Sequence, residues 1–408
     1  LKLSLLYFLM PMIEALDIEE RALTGSTGGH GERVAYLSCL MAKPLFLPQP
    51  ELMDFVECAL LHDCGAVENL RNLRDAKADG REYFEMLPDG RKISGDQVHA
   101  LLGERIIRQL PFYGDVKDIL LMYHECADGS GPLGLTEPEI NFKSQIIFLV
   151  DRMDVWYDLP HLKKEEFRPM MDRMHSRANH EFSERALELM DETIHWKDIE
   201  RLQEERPDVL LKEMLPEDEE EYSKEQIEEL TQFFCYIVDN KSSFTKDHSA
   251  GIMHKASDMA QYYGWDEDKL ERFTLAAALH DYGKLAVRTA VLEKPGKLTD
   301  SEFAEMKLHV KWTYHMLNGI PGFEDIRDWA SFHHEKLDGS GYCLGLTGKD
   351  LTFEERLLGC INIYQALTEK RPYKDGFSHQ KTISIMKDMV EEGKIDGGVV
   401  EDLNRYYG

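Results

Sequence analysis

Basic residues, cysteines, strand-like alternation and long apolar runs are all scarce in this sequence, and each scarcity removes a class of answers. Lys and Arg number 48 against 76 Asp and Glu, a net charge of −28 over 408 residues. A surface that acidic repels polyanions, which argues against bulk electrostatic binding of nucleic acid. A small phosphorylated ligand would need a local positive centre, either metal ions or a few placed Lys and Arg. The seven cysteines are scattered and odd in number, with no Cys-x-x-Cys. That pattern argues against a zinc ribbon or a disulfide framework and fits a reducing, cytoplasmic compartment. The one notable apolar run, Leu3–Leu16, contains Pro11 and Glu14 and is too short to span a bilayer. It also lacks the basic flank and small-residue cleavage site of a signal peptide. No membrane contact is expected of this chain, although its first residue is not Met and an upstream sensor or anchor stays open.

What is present is a domain written twice. His62-Asp63-x-Gly65 returns as His280-Asp281-x-Gly283, 218 residues later, and His30 and His248 share that offset. His99 pairs with His309, His124 with His334, and Asp128–Gly131 with Asp338–Gly341, all at 210. Leu133-Gly-Leu-Thr136 matches Leu344-Gly-Leu-Thr347 at 211. Steady offsets with one step are what a duplication with one longer loop produces. The extra residues fall in the Gly- and charge-rich stretch 75–96 of the first copy.

Apolar residues recur at helical spacing over Arg33–Met41, Glu51–His62, Lys269–His280, Ser301–Leu317 and Phe353–Leu367. The expected fold is therefore all-α, with five to seven helices per copy. Ile227–Tyr236 parallels Leu3–Ile13, and both read as the first helix of a domain. The boundaries drawn from this reading are a domain over 1–200, an acidic linker over 201–226, and a domain over 227–408.

The chemistry lies in the repeated His and Asp residues. A lone His-Asp pair is weak evidence, but nitrogen and oxygen donors recurring in order across two copies are hard to explain as core histidines. Imidazole with carboxylate is a donor set for zinc, iron, manganese or nickel. A carboxylate offers two oxygens, so Asp281 is the natural bridge between two ions.

On these residues the chain resembles the HD superfamily of metal-dependent phosphohydrolases, and its second copy resembles the HD-GYP branch. The resemblance is carried by His248-Ser249, His280-Asp281-Tyr-Gly-Lys284, Lys294-Pro-Gly-Lys-Leu-Thr299, His309 and His333-His334-Glu-x-x-Asp338-Gly-x-Gly-Tyr342. Ala366-Leu-Thr and Arg371-Pro-Tyr-Lys374 complete it, over about 130 residues in the expected order. The resemblance implies two tandem HD-type helical domains, a degenerate N-terminal copy and an HD-GYP-like C-terminal copy. It also implies hydrolysis of a cyclic dinucleotide, cyclic di-GMP or 3′,3′-cyclic GMP-AMP, with two divalent ions such as iron or manganese in the second copy. By the same resemblance His248, His280 and Asp281 hold one ion, and Asp281, His309, His333 and His334 hold the other. A hydroxide shared by the two ions would be aimed at phosphorus. Asp281 and Lys284 would be catalytic, with Tyr342, Arg371 and Lys374 gripping base and phosphates.

Departures from the family pattern bear on chemistry. Asn362 stands where the first ion usually meets an Asp, which predicts weaker metal binding. Gln365 occupies an acidic position that the resemblance places near the base, and its amide nudges the reading toward cyclic GMP-AMP. The first copy keeps His30, His62, Asp63 and Asp151 for one ion, and His99 and His124 toward a second. It has Tyr123 where the second copy has His333, and Ala66 where it has Lys284. A structural or regulatory partner holding one or two ions is expected there. Two other readings stand beside this one: a generic HD-type nucleotide phosphohydrolase, and a non-catalytic module that binds a cyclic dinucleotide or a partner protein. The oligomeric state stays open.

Overall fold

The computed structural model describes residues 2–24, 28–87, 89–215, 220–241, 248–294, 296–369 and 376–408. It divides into two compact units, one of Ser4–Asp218 and one of Glu219–Gly408 with Leu1–Leu3.

The N-terminal unit contains α1 (Leu5–Thr24), α2 (His30–Ala42), α3 (Gln49–Leu60), α4 (Ala66–Ala78), α5 (Val98–Ile107), α6 (Phe142–Tyr157), α7 (Lys164–His175), α8 (Glu184–Thr193), α9 (Trp196–Glu204) and α10 (Pro207–Met214). The C-terminal unit contains α11 (Lys224–Lys241), α12 (His248–Tyr262), α13 (Glu267–Leu279), α14 (Thr289–Leu292), α15 (Asp300–Leu317), α16 (Glu324–Ser331), α17 (Phe353–Thr368), α18 (His379–Glu391) and α19 (Gly397–Tyr407). The five helices read from periodicity are α2, α3, α13, α15 and α17, each within a few residues at either end. More helices are present than the five to seven expected per copy. The excess is short elements such as α14 and the run α7–α10, too brief for an apolar period to show.

The apolar run near the N-terminus is α1, whose Leu5, Leu6, Phe8, Leu9, Met12 and Ile13 are buried in the core of the unit. Among the described residues no helix is long and apolar enough to cross a membrane. The Gly- and charge-rich stretch of the first copy folds in part as a hairpin, Phe84–Met86 against Lys92–Ser94. Leu87 and Ile93 there pack with Val98, Leu101 and Leu102 of α5. A second two-stranded pairing joins Lys2–Leu3 to Glu220–Glu221.

Residues 201–215, which their charge placed in a solvated linker, are mostly helical, with α9 running to Glu204 and α10 following. Pro207 opens α10 in the first turn, where its missing N–H costs nothing. The helix packs on α2 with Leu210 and Leu211 fully buried. The division between units falls at 218, past this helix. Two adjacent leucines among charges were too little pattern to reveal a packed face.

Candidate metal centres

In the C-terminal unit the ligands are delivered by helix ends. Asp266 caps α13 by accepting from Lys269 N–H at 2.9 Å. The buried run Leu275–Leu279 then carries the chain inward to His280 and Asp281, 0% and 3% exposed. The turn that follows lies against the backbone of α15. A Cβ on Gly283 would stand 1.9 Å from the His309 carbonyl oxygen and 2.5 Å from the Thr313 nitrogen, so this position requires glycine. Thr313 Oγ1 fastens the contact, accepting from Gly283 N–H at 2.9 Å and donating to the His280 carbonyl at 3.3 Å. Gly65 repeats the device in the other unit, where a Cβ would meet the His99 carbonyl at 2.3 Å. The glycine of the His-Asp-x-Gly motif thus brings the next histidine to the carboxylate. α15 starts with a Thr299/Glu302 capping box and presents His309. His333 and His334 follow directly on α16.

Three imidazoles are oriented alike. The Nδ1–H of His280, His309 and His333 donates to the carbonyl three residues back, at Ala277, Met306 and Ala330, over 2.7, 2.6 and 2.7 Å. Nε2 is then the lone-pair nitrogen, turned toward the centre. Nε2 of His309 and of His333 is buried with no hydrogen-bond partner among the described residues. A buried polar atom left so costs about 1–3 kcal/mol, which a bound cation would offset. Asp281 faces both halves of the cluster. Its Oδ2 lies 3.1 Å from His280 Nε2 and 2.5 Å from Lys284 Nζ, and its Oδ1 lies 3.4 Å from His309 Nε2. Ligand atoms of His309, His333 and His334 fall within 4.8 Å of one another, as do those of His280, Asp281 and His333. This nitrogen and oxygen set fits divalent transition ions, and Asp281 fits the bridge between two.

The electrostatics agree. Burial pushes His309 down to about 4 and holds His333 and His334 well below the ordinary imidazole range, so all three are neutral at pH 7. Burial alone would raise the Asp281 carboxyl, but neighbouring His280 and Lys284 outweigh it and hold it well below the usual carboxylate range. An ionised carboxylate beside the neutral imidazoles of His309, His333 and His334 is the protonation state that ligates metal.

The N-terminal unit gathers the corresponding residues with one change. His62 Nδ1 donates to the Ala59 carbonyl at 2.8 Å, and His62 Nε2 lies 3.2 Å from His30 Nε2. Asp151 Oδ1 stands 3.3 Å from His30 Nε2, and Asp63 Oδ2 is 3.4 Å from His62 Nε2. The ligand atoms of His30, His62 and Asp63 form one cluster. On the other side of Asp63, His99 Nε2 lies 3.3 Å from Oδ1, and His124 Nε2 lies 3.0 Å from His99 Nε2. Tyr123 fills the position of His333. Its hydroxyl donates to Asp63 Oδ1 at 2.8 Å and also meets His99 Nε2. A buried phenol whose pKa is raised by burial, Asp63 and Asp151 stays protonated and occupies the carboxylate oxygen that the second half would need.

Other expected site residues are placed less directly. Tyr342 is half-buried with its ring 4.7 Å from that of His334, at the edge of the cluster. Asn362 is buried on α17. Gln365, expected near a base, is 6% exposed: its amide donates to Glu369 at 3.2 Å and presses on Gly251 of α12. It is a helix-packing residue here, because an amide already bonded and covered offers no edge to a base. Arg371, Lys374 and the side chain of His248 lie outside the described residues.

Three supporting carboxylates were given no role by the sequence reading. Asp154 accepts from His30 Nδ1 at 2.6 Å and forms a two-pronged pair with Arg33, at 2.7 and 2.8 Å. It sits one turn beyond Asp151 on α6, and that i, i+3 spacing was the available signal. Glu125 and Glu335 follow the paired ligand positions and accept backbone N–H groups from the Gly-rich loop after them. Glu335 takes Leu344 at 2.7 Å and Leu346 at 3.1 Å, and Glu125 takes Leu133 at 2.6 Å and Leu135 at 2.8 Å. Their recurrence at the common offset was the clue.

Residues 233–399 match the HD domain family. Over 394 residues the chain is 26% identical to 3′3′-cGAMP-specific phosphodiesterase 1 of Vibrio cholerae, covering 93% of this chain and 88% of that protein. Over 169 residues it is 33% identical to the cyclic di-GMP phosphodiesterase response regulator RpfG of Xanthomonas campestris, covering 41% and 44%. The crystal structure of a cyclic GMP-AMP specific phosphodiesterase of V. cholerae superposes with a TM-score of 0.66 at 21% identity, covering 100% of this chain and 98% of that one, which shows a shared fold. With its buried His and Asp donors already assembled, and with an HD domain over residues 233–399, the protein is a metal-dependent hydrolase similar to the HD-GYP cyclic-dinucleotide phosphodiesterases.

Proposed function

We propose that this protein hydrolyses a 3′,3′-cyclic dinucleotide in its C-terminal unit, with cyclic GMP-AMP as the first candidate substrate, and that the N-terminal unit is a degenerate second HD-type copy. The observation that carries the assignment to one unit is the contrast at the paired positions 123 and 333. Nε2 of His333 faces the C-terminal cluster with no hydrogen-bond partner among the described residues, whereas the Tyr123 phenol closes the corresponding half of the N-terminal one. Two relatives matched along most of their length are both cGAMP-specific enzymes of V. cholerae, which favours that substrate over cyclic di-GMP.

In this reading His280 and Asp281, with His248 and Asn362, hold one divalent ion, iron or manganese by donor type, and Asp281, His309, His333 and His334 hold the other. Such ions, when bound, supply an activated water and neutralise phosphate charge. The protein's own groups do the rest. The carbonyl-tethered imidazoles keep their lone pairs aimed inward, so no reorganisation accompanies loading. Lys284, 19% exposed along its side chain, holds Asp281 in place and presents a positive charge beside the reacting phosphate. Tyr342, stacked beside His334, offers a ring face to a base, while Arg371 and Lys374 would meet the phosphates.

The test is product analysis of 3′,3′-cyclic GMP-AMP and cyclic di-GMP with Mn²⁺- or Fe²⁺-loaded protein, beside a His280→Ala/Asp281→Ala variant. The reading expects turnover of cyclic GMP-AMP that the double variant loses. Turnover that survives in the double variant would move the chemistry to His62 and Asp63, and no turnover with either substrate would refute the function.

A further inference from the structure

The N-terminal unit contains a cavity of about 590 Å³ beside its own His/Asp cluster, a size typical of small-molecule sites. His99 and His124 form one end, and Phe148, Arg152 and Trp156 of α6 form a wall. Three features of that wall point to one ligand class. Arg152 forms no ion pair among the described residues. Its guanidinium lies over the Phe148 ring, 5.0 Å from the centroid, in a chain carrying 28 surplus negative charges. A cation left without a carboxylate in so acidic a protein is kept for an anion from outside. Trp156 is half-exposed and lines the cavity, with Arg173 and Arg177 over its ring at 4.9 and 5.9 Å and Phe182 edge-on at 6.2 Å, so the part of the indole that stays exposed adds aromatic surface for a flat heterocycle. Gln97 at the rim adds an amide that can both donate and accept. Stacking surface, free guanidinium and amide together describe a site for a purine nucleotide.

We infer that this N-terminal cavity binds a cyclic dinucleotide, base on Trp156 and phosphate on Arg152, and holds it without hydrolysis. The choice of dinucleotide rests on the function proposed above; the cavity's claim on a purine phosphodiester does not. Retention without cleavage follows from two replacements beside the cavity. The Tyr123 hydroxyl is bonded to Asp63 where the catalytic copy has an open imidazole, and Ala66 stands where that copy has Lys284. The N-terminal unit is then a second, non-consuming ligand site in a chain whose other unit destroys the same molecule.

Equilibrium dialysis of radiolabelled 3′,3′-cyclic GMP-AMP against the full-length chain tests this. The background is His280→Ala/Asp281→Ala, or His309→Ala if circular dichroism shows the double variant unfolded. Arg152→Ala and Trp156→Ala are introduced separately on that background. A saturable site of about one molecule per chain, weakened about tenfold or more by each substitution, is the expected result. Affinity within twofold of the background in both variants, or no saturable binding at all, would overturn the inference. Hydrolysis by the otherwise wild-type chain is measured in parallel. If that chain fails to cleave while Arg152-dependent binding persists, the proposed function falls and this site stands; the reverse pattern sinks the site alone.

Discussion

Replacing Gly283 by alanine is the sharpest single test of how the fold builds the C-terminal centre. The added Cβ would sit 1.9 Å from the His309 carbonyl oxygen, 2.5 Å from the Thr313 nitrogen and 2.8 Å from Trp312 Cβ. Two of these are backbone atoms of α15 and cannot rotate aside. Reaching the roughly 3.3 Å of a close C···O contact requires α15 to retreat by about 1.4 Å. Overpacking that moves backbone costs about 1–3 kcal/mol, and the stretched Thr313 hydrogen bonds add about 1 kcal/mol. A total near 2–4 kcal/mol, at roughly 2–4 °C per kcal/mol for a unit of this size, lowers Tm by about 4–16 °C. The retreat also carries His309 from Asp281 by far more than the ~0.2 Å that metal coordination tolerates, so metal content falls together with stability. Calorimetry and elemental analysis of the purified variant read both effects. Gly348→Ala is the control: its Cβ meets only Leu337, at 3.3 Å and beyond, and we expect a change under about 1 kcal/mol. A Gly283→Ala protein melting within 2 °C of wild type with full metal would refute the close-approach argument.

Three further outcomes follow from the N-terminal unit. Asp154→Asn removes the carboxylate from Arg33, itself 3% exposed, and from His30; breaking such a buried pair costs about 3–5 kcal/mol, read as a lower urea midpoint. Glu32 is pushed up to about 8 by burial and by neighbouring Asp17, Asp208 and Glu14. A carboxyl raised on folding contributes stability that is present below its unfolded value near 4.5 and is lost as pH climbs through about 8. Wild type should therefore lose up to about 1.4 kcal/mol per pH unit across that window, and Glu32→Gln should flatten the slope in denaturation curves taken at several pH values. Tyr123→His should free Asp63 Oδ1 and restore an imidazole, raising the metal content of the full-length chain by about one ion per molecule in elemental analysis.

The His-Asp motif and its spacing were legible because they are chemistry written in residue type, and the long helices because apolar residues recur at helical spacing, with Leu275–Leu279 of α13 and Leu357, Leu358 and Ile361 of α17 buried. What stayed hidden is instructive. Asp154 and Glu125 look in sequence like ordinary surface acids and Glu335 is one unassigned letter of a motif, and only the fold shows them buried against backbone N–H groups or Arg33. The helix α10 hid behind the charges that flank Leu210 and Leu211. Gln365 was set near a base by family resemblance alone, whereas its amide is bonded to Glu369 and covered by the close approach of α12 at Gly251. Neighbours distant in sequence settle each of these, and residue type alone does not carry them.

The carbonyl tethers on the ligand histidines also fix a proton inventory. With Nδ1–H committed to Met306 and Ala330 and the rings neutral, His309 and His333 have no proton to give up when an ion arrives at neutral pH. His334, also neutral, behaves alike. Loading of this half of the centre therefore exchanges almost no protons with solvent, and its calorimetric heat should be the same in buffers of high and low ionisation enthalpy. At the N-terminal cluster His30 is held protonated by Asp151 and Asp154 against the effect of burial, so metal uptake there must expel a proton. The same calorimetric experiment therefore separates the two clusters, because the heat of filling the N-terminal one should vary with the ionisation enthalpy of the buffer.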